Sequence, residues 1–82
     1  MYLEIITPEK KLFAGEIKLL QVPGSKGSFE ILKNHAPIIS TLEKGTVRLV
    51  NPEGVPSTFD IGGGVIEAKE NNIIILAETT HE

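Results

Sequence analysis

The chain has 82 residues and a formal net charge of −3, with 40% hydrophobic and 23% charged residues, a composition typical of one folded domain. Its single arginine, Arg48, and its scattered lysines argue against a clustered basic surface that binds nucleic acid or an anionic membrane by charge. The absence of cysteine excludes disulfides and thiolate metal sites and favours an intracellular location. We find no secretory leader pattern and no apolar run of the roughly 18 residues that a membrane span needs.

The first part of the chain predicts a series of short strands. Residues 2–7 are mostly apolar or β-branched and stop at Pro8, which holds the preceding residue in an extended conformation. A turn at residues 8–11 leads to an alternating stretch, residues 12–22, whose phase slips at Leu19 and Leu20. Such a slip predicts either a β-bulge or a strand that leaves one sheet for the other. A loop at residues 23–28 and a short strand at residues 29–32 follow.

The middle of the chain contains one ambiguous stretch and one clear strand. The segment around Pro37 is too short for a typical helix, and its proline is incompatible with a regular central strand. Residues 44–51 alternate, so that Val47 and Leu49 share one face and Arg48 lies on the other.

The last part of the chain predicts three strands. Residues 57–61 and 65–69 alternate on either side of the glycines at positions 62–64. Residues 73–78 are apolar on both faces, which is typical of a central strand. Seven or eight short strands with frequent turns predict an all-β sandwich or barrel.

Candidate catalytic and metal-binding residues are few. A Ser-His-Asp set can be written from Ser40, His35 and Asp60, but the chain has no Gly-x-Ser-x-Gly motif, and these residue types occur together in most proteins. A zinc site needs three or four ligands, and His35 and His81 are the only histidines. The sequence therefore predicts no catalytic, cofactor-binding or metal-binding site.

Two glycine-rich segments invite comparison with nucleotide-binding loops. Residues 24–28 lack the Gly-x-x-x-x-Gly-Lys-Ser/Thr spacing and no helix follows them, so an exposed hairpin tip is the better interpretation. Residues 62–64 lack the Gly-x-Gly-x-x-Gly spacing of a dinucleotide site. These three glycines predict either a turn with positive φ angles or a place where another backbone comes close.

Several segments share their order and spacing with one known family. They are the Thr-Pro-Glu turn and Phe-x-Gly step of residues 6–15, the Val-Pro-Gly-x-x-Gly-x-Phe loop of residues 22–29, the His-Ala-Pro tripeptide of residues 35–37, the Gly-Thr-Val-Arg-Leu strand of residues 45–49, the Ile-Gly-Gly of residues 61–63, and Glu67, Asn72 and the Leu-Ala-Glu of residues 76–78. In these motifs the chain resembles the epsilon subunit of the F-type ATP synthase, called delta in mitochondria. The resemblance covers residues 1–82 as a single domain.

This resemblance implies a β-sandwich of about eight to ten short, mostly antiparallel strands. It also implies a non-catalytic subunit of the central stalk, which binds the foot of the gamma shaft and rests on the ring of membrane proteolipid subunits. Ion flow through that ring would then drive ATP synthesis in the catalytic head. The implied location is peripheral, at the cytoplasmic face of the bacterial inner membrane and held there only through the complex, with no cofactor, nucleotide or nucleic acid bound.

The resemblance also implies two contact segments. The loop formed by Gly24, Ser25, Lys26, Gly27 and Ser28 corresponds to the family loop that faces the proteolipid ring. His35, Ala36 and Pro37 correspond to the segment that faces the gamma shaft. For His35, a hydrogen-bonded structural role fits equally well.

The chain departs from the family pattern at three places. Glu30 stands where the family commonly has glycine, so we expect its side chain to point outward. Lys33 and Asn34 replace the usual proline-containing approach to the His-Ala-Pro tripeptide. The end at Glu82 predicts that the family's C-terminal helical pair, and its self-inhibition, are absent. Residues 79–82 fit a helix capping box, which either marks where such helices would begin or matches by chance.

Two other functions compete with this one: the first, from the binding class, stays open, and the second is disfavoured by the residues around its candidate lysine. One is a stand-alone β-sandwich adaptor that binds a protein or a carbohydrate. Stacking on sugars needs exposed aromatic rings. The chain has four aromatic residues, Tyr2, Phe13, Phe29 and Phe59, and three of them fall at predicted core positions. The other is a lipoyl or biotinyl carrier, which needs a lysine beside methionine at a hairpin tip, whereas Lys26 lies between serine and glycine.

Overall fold

The computed structural model describes residues 1–80, and its regular structure consists of seven β-strands in one continuous sheet. In the sheet their order is β2-β1-β7-β6-β5-β3-β4. Strands β1 and β7 run parallel, and the other five neighbouring pairs are antiparallel. The strands are β1 (Tyr2–Ile6), β2 (Lys11–Glu16), β3 (Leu19–Val22), β4 (Phe29–Leu32), β5 (Ile38–Val50), β6 (Pro56–Lys69) and β7 (Asn72–Ala77).

Strands β5 and β6 are long, with 13 and 14 residues. β6 joins two of the predicted short strands, and β5 joins part of the ambiguous segment around Pro37 to the predicted strand of residues 44–51. Pro37 lies immediately before β5, so the ladder begins where the proline constraint ends. The glycines at positions 62–64 lie inside β6, so of the two predictions for them the turn is wrong and the close approach of another backbone is confirmed. Joining these strands gives seven, slightly below the eight to ten that the resemblance implies.

The hydrogen bonding between β5 and β6 is interrupted at one point, where each strand bonds to a different segment of the chain. Leu42 pairs with Gly64 and Lys44 pairs with Gly62, but the Glu43 amide between them donates to the Pro23 carbonyl oxygen at 2.9 Å. On the other strand, the Glu78 amide donates to the Gly63 carbonyl oxygen at 2.8 Å. Gly63 and Gly64 have φ angles of 117° and 152°, which favour glycine. The long pair therefore passes from one half of the sheet to the other at this point.

The two halves of the sheet form the sandwich. The first half-sheet contains β2, β1, β7, the end of β6 and the start of β5; the second contains the start of β6, the end of β5, β3 and β4. One buried apolar cluster takes residues from both. It comprises Leu3, Ile5, Leu42, Ile66, Ala68, Ile73, Ile75 and Ala77 of the first half, Leu20, Val22, Ile31, Val47, Leu49 and Ile61 of the second, and Ile17 between them.

The predicted phase slip marks a crossing between the halves. β2 pairs with β1 in the first half-sheet, and β3 pairs with β5 and β4 in the second. The chain crosses at Ile17 and Lys18, two residues before the slip. The Ile17 amide donates to Met1 and the Lys18 amide donates to Val50, both at 2.8 Å, so the crossing leaves neither amide without an acceptor.

Candidate protein-docking face

The outward side of the first half-sheet exposes a contiguous set of large apolar side chains. In register across the strands, Val65 lies beside Leu76 and Leu76 beside Ile6, with Ile39, Ile74 and Tyr2 in the adjoining rows. Ile39 is 72% exposed, Leu76 54%, Val65 42% and Tyr2 39%. We call this surface the outer apolar face, and define it by Tyr2, Ile6, Ile39, Val65, Ile74 and Leu76.

The outward side of the second half-sheet is more polar, although it includes one apolar row in which Leu19 pairs with Val50 and with Leu32, which is 51% exposed. Its side chains include Gln21, Glu30, Thr46, Arg48 and Asp60, and the Thr46 hydroxyl donates to Asp60 at 2.8 Å. Glu30 points outward, as expected. A contiguous exposed apolar surface on a small domain is typical of a docking site.

Strand β7 explains how the sequence pattern relates to this face. Its apolar residues on both faces predict a central strand, and β7 does lie between β1 and β6. Its inward residues Ile73 and Ile75 are buried, whereas Leu76 is more than half exposed. No segment of residues 1–80 covers the outward side, so the second apolar face of β7 is available to another molecule.

The loop of residues 24–28 is a tight, internally bonded turn. The Gly27 amide donates to the Gly24 carbonyl oxygen at 3.0 Å, and the Ser25 amide and hydroxyl both bond to Thr41 of β5. A Cβ on Gly24 would lie 2.6 Å from the Gly27 carbonyl oxygen and 2.7 Å from the Phe29 ring, so this position requires glycine. Lys26 and Gly27 are exposed at the tip, and nothing lies within 4 Å of a Cβ on Gly27.

The segment of residues 35–37 is anchored by a pair of asparagines. The Asn34 amide donates to Asn71 Oδ1 at 2.8 Å, and Asn71 Nδ2 donates to Asn34 Oδ1 at 3.0 Å. Both residues have positive φ angles, 65° and 63°, which asparagine tolerates better than most residues. This Asn34–Asn71 pair joins the β4–β5 connection to the β6–β7 turn.

The two predicted contact segments lie at opposite ends of the first stretch of β5. His35, Ala36 and Pro37 are exposed and precede Ile38, while the loop of residues 24–28 lies against Thr41 and Leu42. Five residues of strand, at about 3.3 Å each, separate the two segments by roughly 15 Å. Ile39 of the outer apolar face lies between them, so the structure brings both segments to the border of one surface.

Replacing Asn71 with glycine should test the Asn34–Asn71 pair. Asn71→Gly keeps the positive φ angle but removes both hydrogen bonds, so we expect a loss of about 1 kcal/mol and a fall of about 4–8 °C in the thermal midpoint. Hydrogen exchange should show faster exchange of the Asn34 amide. Glu70→Gly is the matched control, because Glu70 also has a positive φ angle (53°) and its side chain makes no hydrogen bond within the described residues. Equal midpoints for the two variants would show that the pair adds nothing.

The residues of the hypothetical catalytic set are each bonded elsewhere. The Ser40 hydroxyl donates to the Thr41 carbonyl oxygen at 3.1 Å, His35 Nδ1 lies 2.7 Å from the Ala36 carbonyl oxygen, and Asp60 accepts from Thr46. The structure therefore does not bring Ser40, His35 and Asp60 together.

Among residues 1–80, no group of three side chains is arranged to hold a metal ion, and no helix is long and apolar enough to cross a membrane. His81 and the end of the capping-box pattern lie outside the described residues.

The aromatic residues bear on the carbohydrate alternative. Phe13, Phe29 and Phe59 are partly buried and pack against the apolar core, as predicted. The rings of Phe13 and Phe59 lie 5.9 Å apart between centroids and are tilted by 59°. Only Tyr2 among the four presents an exposed ring, which is a poor platform for stacking on a sugar.

The fold defines a β-sandwich domain with an exposed apolar face, and comparison with known proteins gives its family. The family model described as "ATP synthase, Delta/Epsilon chain, beta-sandwich domain" matches residues 1–82. The chain belongs to this family, as the resemblance in its sequence motifs predicts.

Two curated relatives and one solved structure show the range of the similarity. The chain is 43% identical over 76 residues to the ATP synthase epsilon chain of Chlorobaculum tepidum, and the match covers 93% of this chain and 86% of that one. It is 41% identical to the ATP synthase epsilon chain of Campylobacter hominis, where it covers 94% of this chain but 60% of the relative. A chain in the mitochondrial ATP synthase of Euglena gracilis has the same fold, with a TM-score of 0.85 at 16% identity, over 92% of this chain and 48% of that chain.

Proposed function

We propose that this chain is a non-catalytic rotor subunit of an ATP synthase that bridges the gamma shaft and the proteolipid ring. In that position it couples ion flow through the ring to ATP synthesis in the catalytic head. It would sit peripherally at the cytoplasmic face of the bacterial inner membrane, held there by its protein partners, and it would need no nucleotide. Membership of the delta/epsilon family supports the proposal.

The observation on which the shaft contact depends is the outer apolar face. A stable protein interface buries at least about 1,200 Å² in total, or about 600 Å² on each partner. The domain exposes 5005 Å², so such a contact needs about one eighth of its surface. Leu76 lies on β7 in the middle of the face and is suited to anchor its centre, whereas Ile39, its most exposed member, lies on β5 at its edge.

The ring contact is proposed for the loop of residues 24–28. The hydrogen bonds to Thr41 hold this loop at the border of the outer apolar face, while Lys26 and Gly27 remain exposed. A polar tip of this kind suits contact with polar loops at a membrane surface. His35, Ala36 and Pro37, at the other end of the same stretch of β5, are proposed to extend the shaft contact.

Mechanical coupling requires a domain that does not deform when it is loaded from two sides. The two half-sheets share one close-packed core, and close-packed interiors have low compressibility. The continuous β5–β6 pair also runs through both halves. A load on the 24–28 loop therefore reaches the outer apolar face through paired strands.

Co-purification with the gamma subunit of the same organism tests the proposed function. The two proteins should elute together in size-exclusion chromatography at micromolar concentration, and calorimetry should give a one-to-one complex. Separate elution, with no heat of binding, would refute the shaft contact.

A charge at the tip of the 24–28 loop should uncouple the complex without unfolding the domain. Gly27→Glu places a carboxylate where a Cβ meets nothing within 4 Å, although the φ angle of 126° adds a strain of about 1–2 kcal/mol. Gly27→Ala is the control, because it adds the same strain without the charge. We expect both variants to fold, and only Gly27→Glu to reduce ATP-driven ion pumping in reconstituted vesicles. Equal pumping by the two variants would assign the loop a structural role.

A further inference from the structure

A shallow cavity of about 350 Å³ opens on the outer apolar face. The ring of Tyr2 and the side chain of Ile74 supply apolar lining, and the charged groups around them are Glu4, Glu67, Glu70 and Lys69. Three carboxylates thus line this cavity with one ammonium group, and a second ammonium group, that of Lys11, pairs with Glu4, so one carboxylate remains in excess. A cavity of this composition attracts a cation.

Glu67 differs from Glu4, its counterpart on the other side of Ile74. Glu67 and Glu4 each pair in register with Ile74, from β6 and β1 respectively. The Glu4 carboxylate has a partner, because Lys11 Nζ lies 2.6 Å from its Oε2. Among residues 1–80 the Glu67 carboxylate has no ion-pair partner, although it also pairs in register with the exposed Ile39.

Docking of a partner on the outer apolar face would therefore bury an unpaired carboxylate. Removing a charge from water is costly unless an opposite charge or strong hydrogen-bond donors replace the water. If the partner surface were apolar throughout, the free energy of binding would include the whole cost of removing the Glu67 carboxylate from water. A partner that inserts a basic side chain avoids it and gains a charge-assisted hydrogen bond.

We propose that the gamma shaft seats one basic side chain in this cavity, against the Glu67 carboxylate and beside the Tyr2 ring. This inference rests on the proposed function, since it specifies the chemistry of the same shaft contact. Arginine suits the site better than lysine, because its planar guanidinium pairs with a carboxylate through two hydrogen bonds and stacks on an aromatic ring. Glu67 is then the residue that sets which apolar surfaces the face accepts.

Binding of the purified gamma subunit to Glu67→Gln and Glu67→Lys, followed by calorimetry at low and high salt, tests this inference. Glu67→Gln keeps the size and removes the charge, so the affinity should fall about 10- to 100-fold and lose most of its salt dependence. Glu67→Lys should weaken binding further, because it opposes like charges. Glu53→Gln is the matched control, since Glu53 is exposed in the β5–β6 turn, away from the face.

Three results are decisive. Affinity of Glu67→Gln within twofold of the wild type, with the salt dependence retained, would overturn the role of Glu67 while leaving the shaft contact intact. A wild-type protein that does not bind the gamma subunit would instead overturn the proposed function, and with it this inference. Restoration of Glu67→Lys binding by a lysine- or arginine-to-glutamate substitution in the gamma subunit would identify the inserted residue directly.

Discussion

Replacing Gly64 with alanine is expected to unfold the domain at moderate temperature. A Cβ on Gly64 would overlap the Leu76 carbonyl oxygen and lie 3.0 Å from Ala77 Cα, so β6 and β7 would have to move apart. The φ angle of 152° adds backbone strain. We expect a loss of at least about 3 kcal/mol, and hence a fall of at least about 12 °C in the thermal midpoint. A domain of this size has only about 4–12 kcal/mol in total.

Circular dichroism melts of Gly64→Ala and Gly54→Ala separate overlap from strain. Gly54 also has a positive φ angle (88°), but a Cβ there makes only an ordinary contact, 3.7 Å from Lys18 Nζ. The Gly54→Ala variant should therefore lose about 1 kcal/mol. If both midpoints fall equally, the close approach of β6 to β7 does not require glycine at position 64.

A charge in the middle of the outer apolar face is expected to abolish shaft binding. Leu76 lies between Val65 and Ile6 in register, and Leu76→Asp would force a carboxylate into an apolar contact. Loss of the leucine contact and burial of the charge together should weaken gamma binding at least about 100-fold. Since Leu76 is 54% exposed, folding should lose only about 1 kcal/mol.

Val55→Asp provides the matched control for this substitution. Val55 is 55% exposed, nearly the same as Leu76, but it lies in the β5–β6 turn and away from the outer apolar face. Its aspartate variant should bind the gamma subunit as the wild type does. Calorimetry that finds tight binding for Leu76→Asp would show that the shaft uses another surface.

Alternation and turn residues in the sequence were sufficient to place most of the strands. Pro8, the phase slip at Leu19 and Leu20, and the apolar residues of β7 each predict a feature that the structure contains. The fusion of two short strands into β6 was not predictable from local pattern, because Gly62, Gly63 and Gly64 bend a strand here without ending it. Whether a glycine run bends or ends a strand depends on which backbone comes near it.

The candidate site was harder to predict, because it depends on contacts between distant residues. The family motifs select residues 24–28 and 35–37, and the structure places them at the border of one face. The sequence does not distinguish an apolar residue that its own chain covers from one, such as Leu76, that is left for a partner to cover. Asn34 and Asn71 are 37 positions apart, and nothing in their local sequences indicates that they bond.

Restoration of ion pumping by the purified chain tests coupling most directly. Vesicles that contain the ATP synthase without this subunit should hydrolyse ATP but build no membrane potential, which a voltage-sensitive dye would report whichever ion is moved. Stoichiometric addition of the wild-type chain should restore the potential, and Leu76→Asp should not. An equal potential with and without the chain would contradict its role as the joint between shaft and ring.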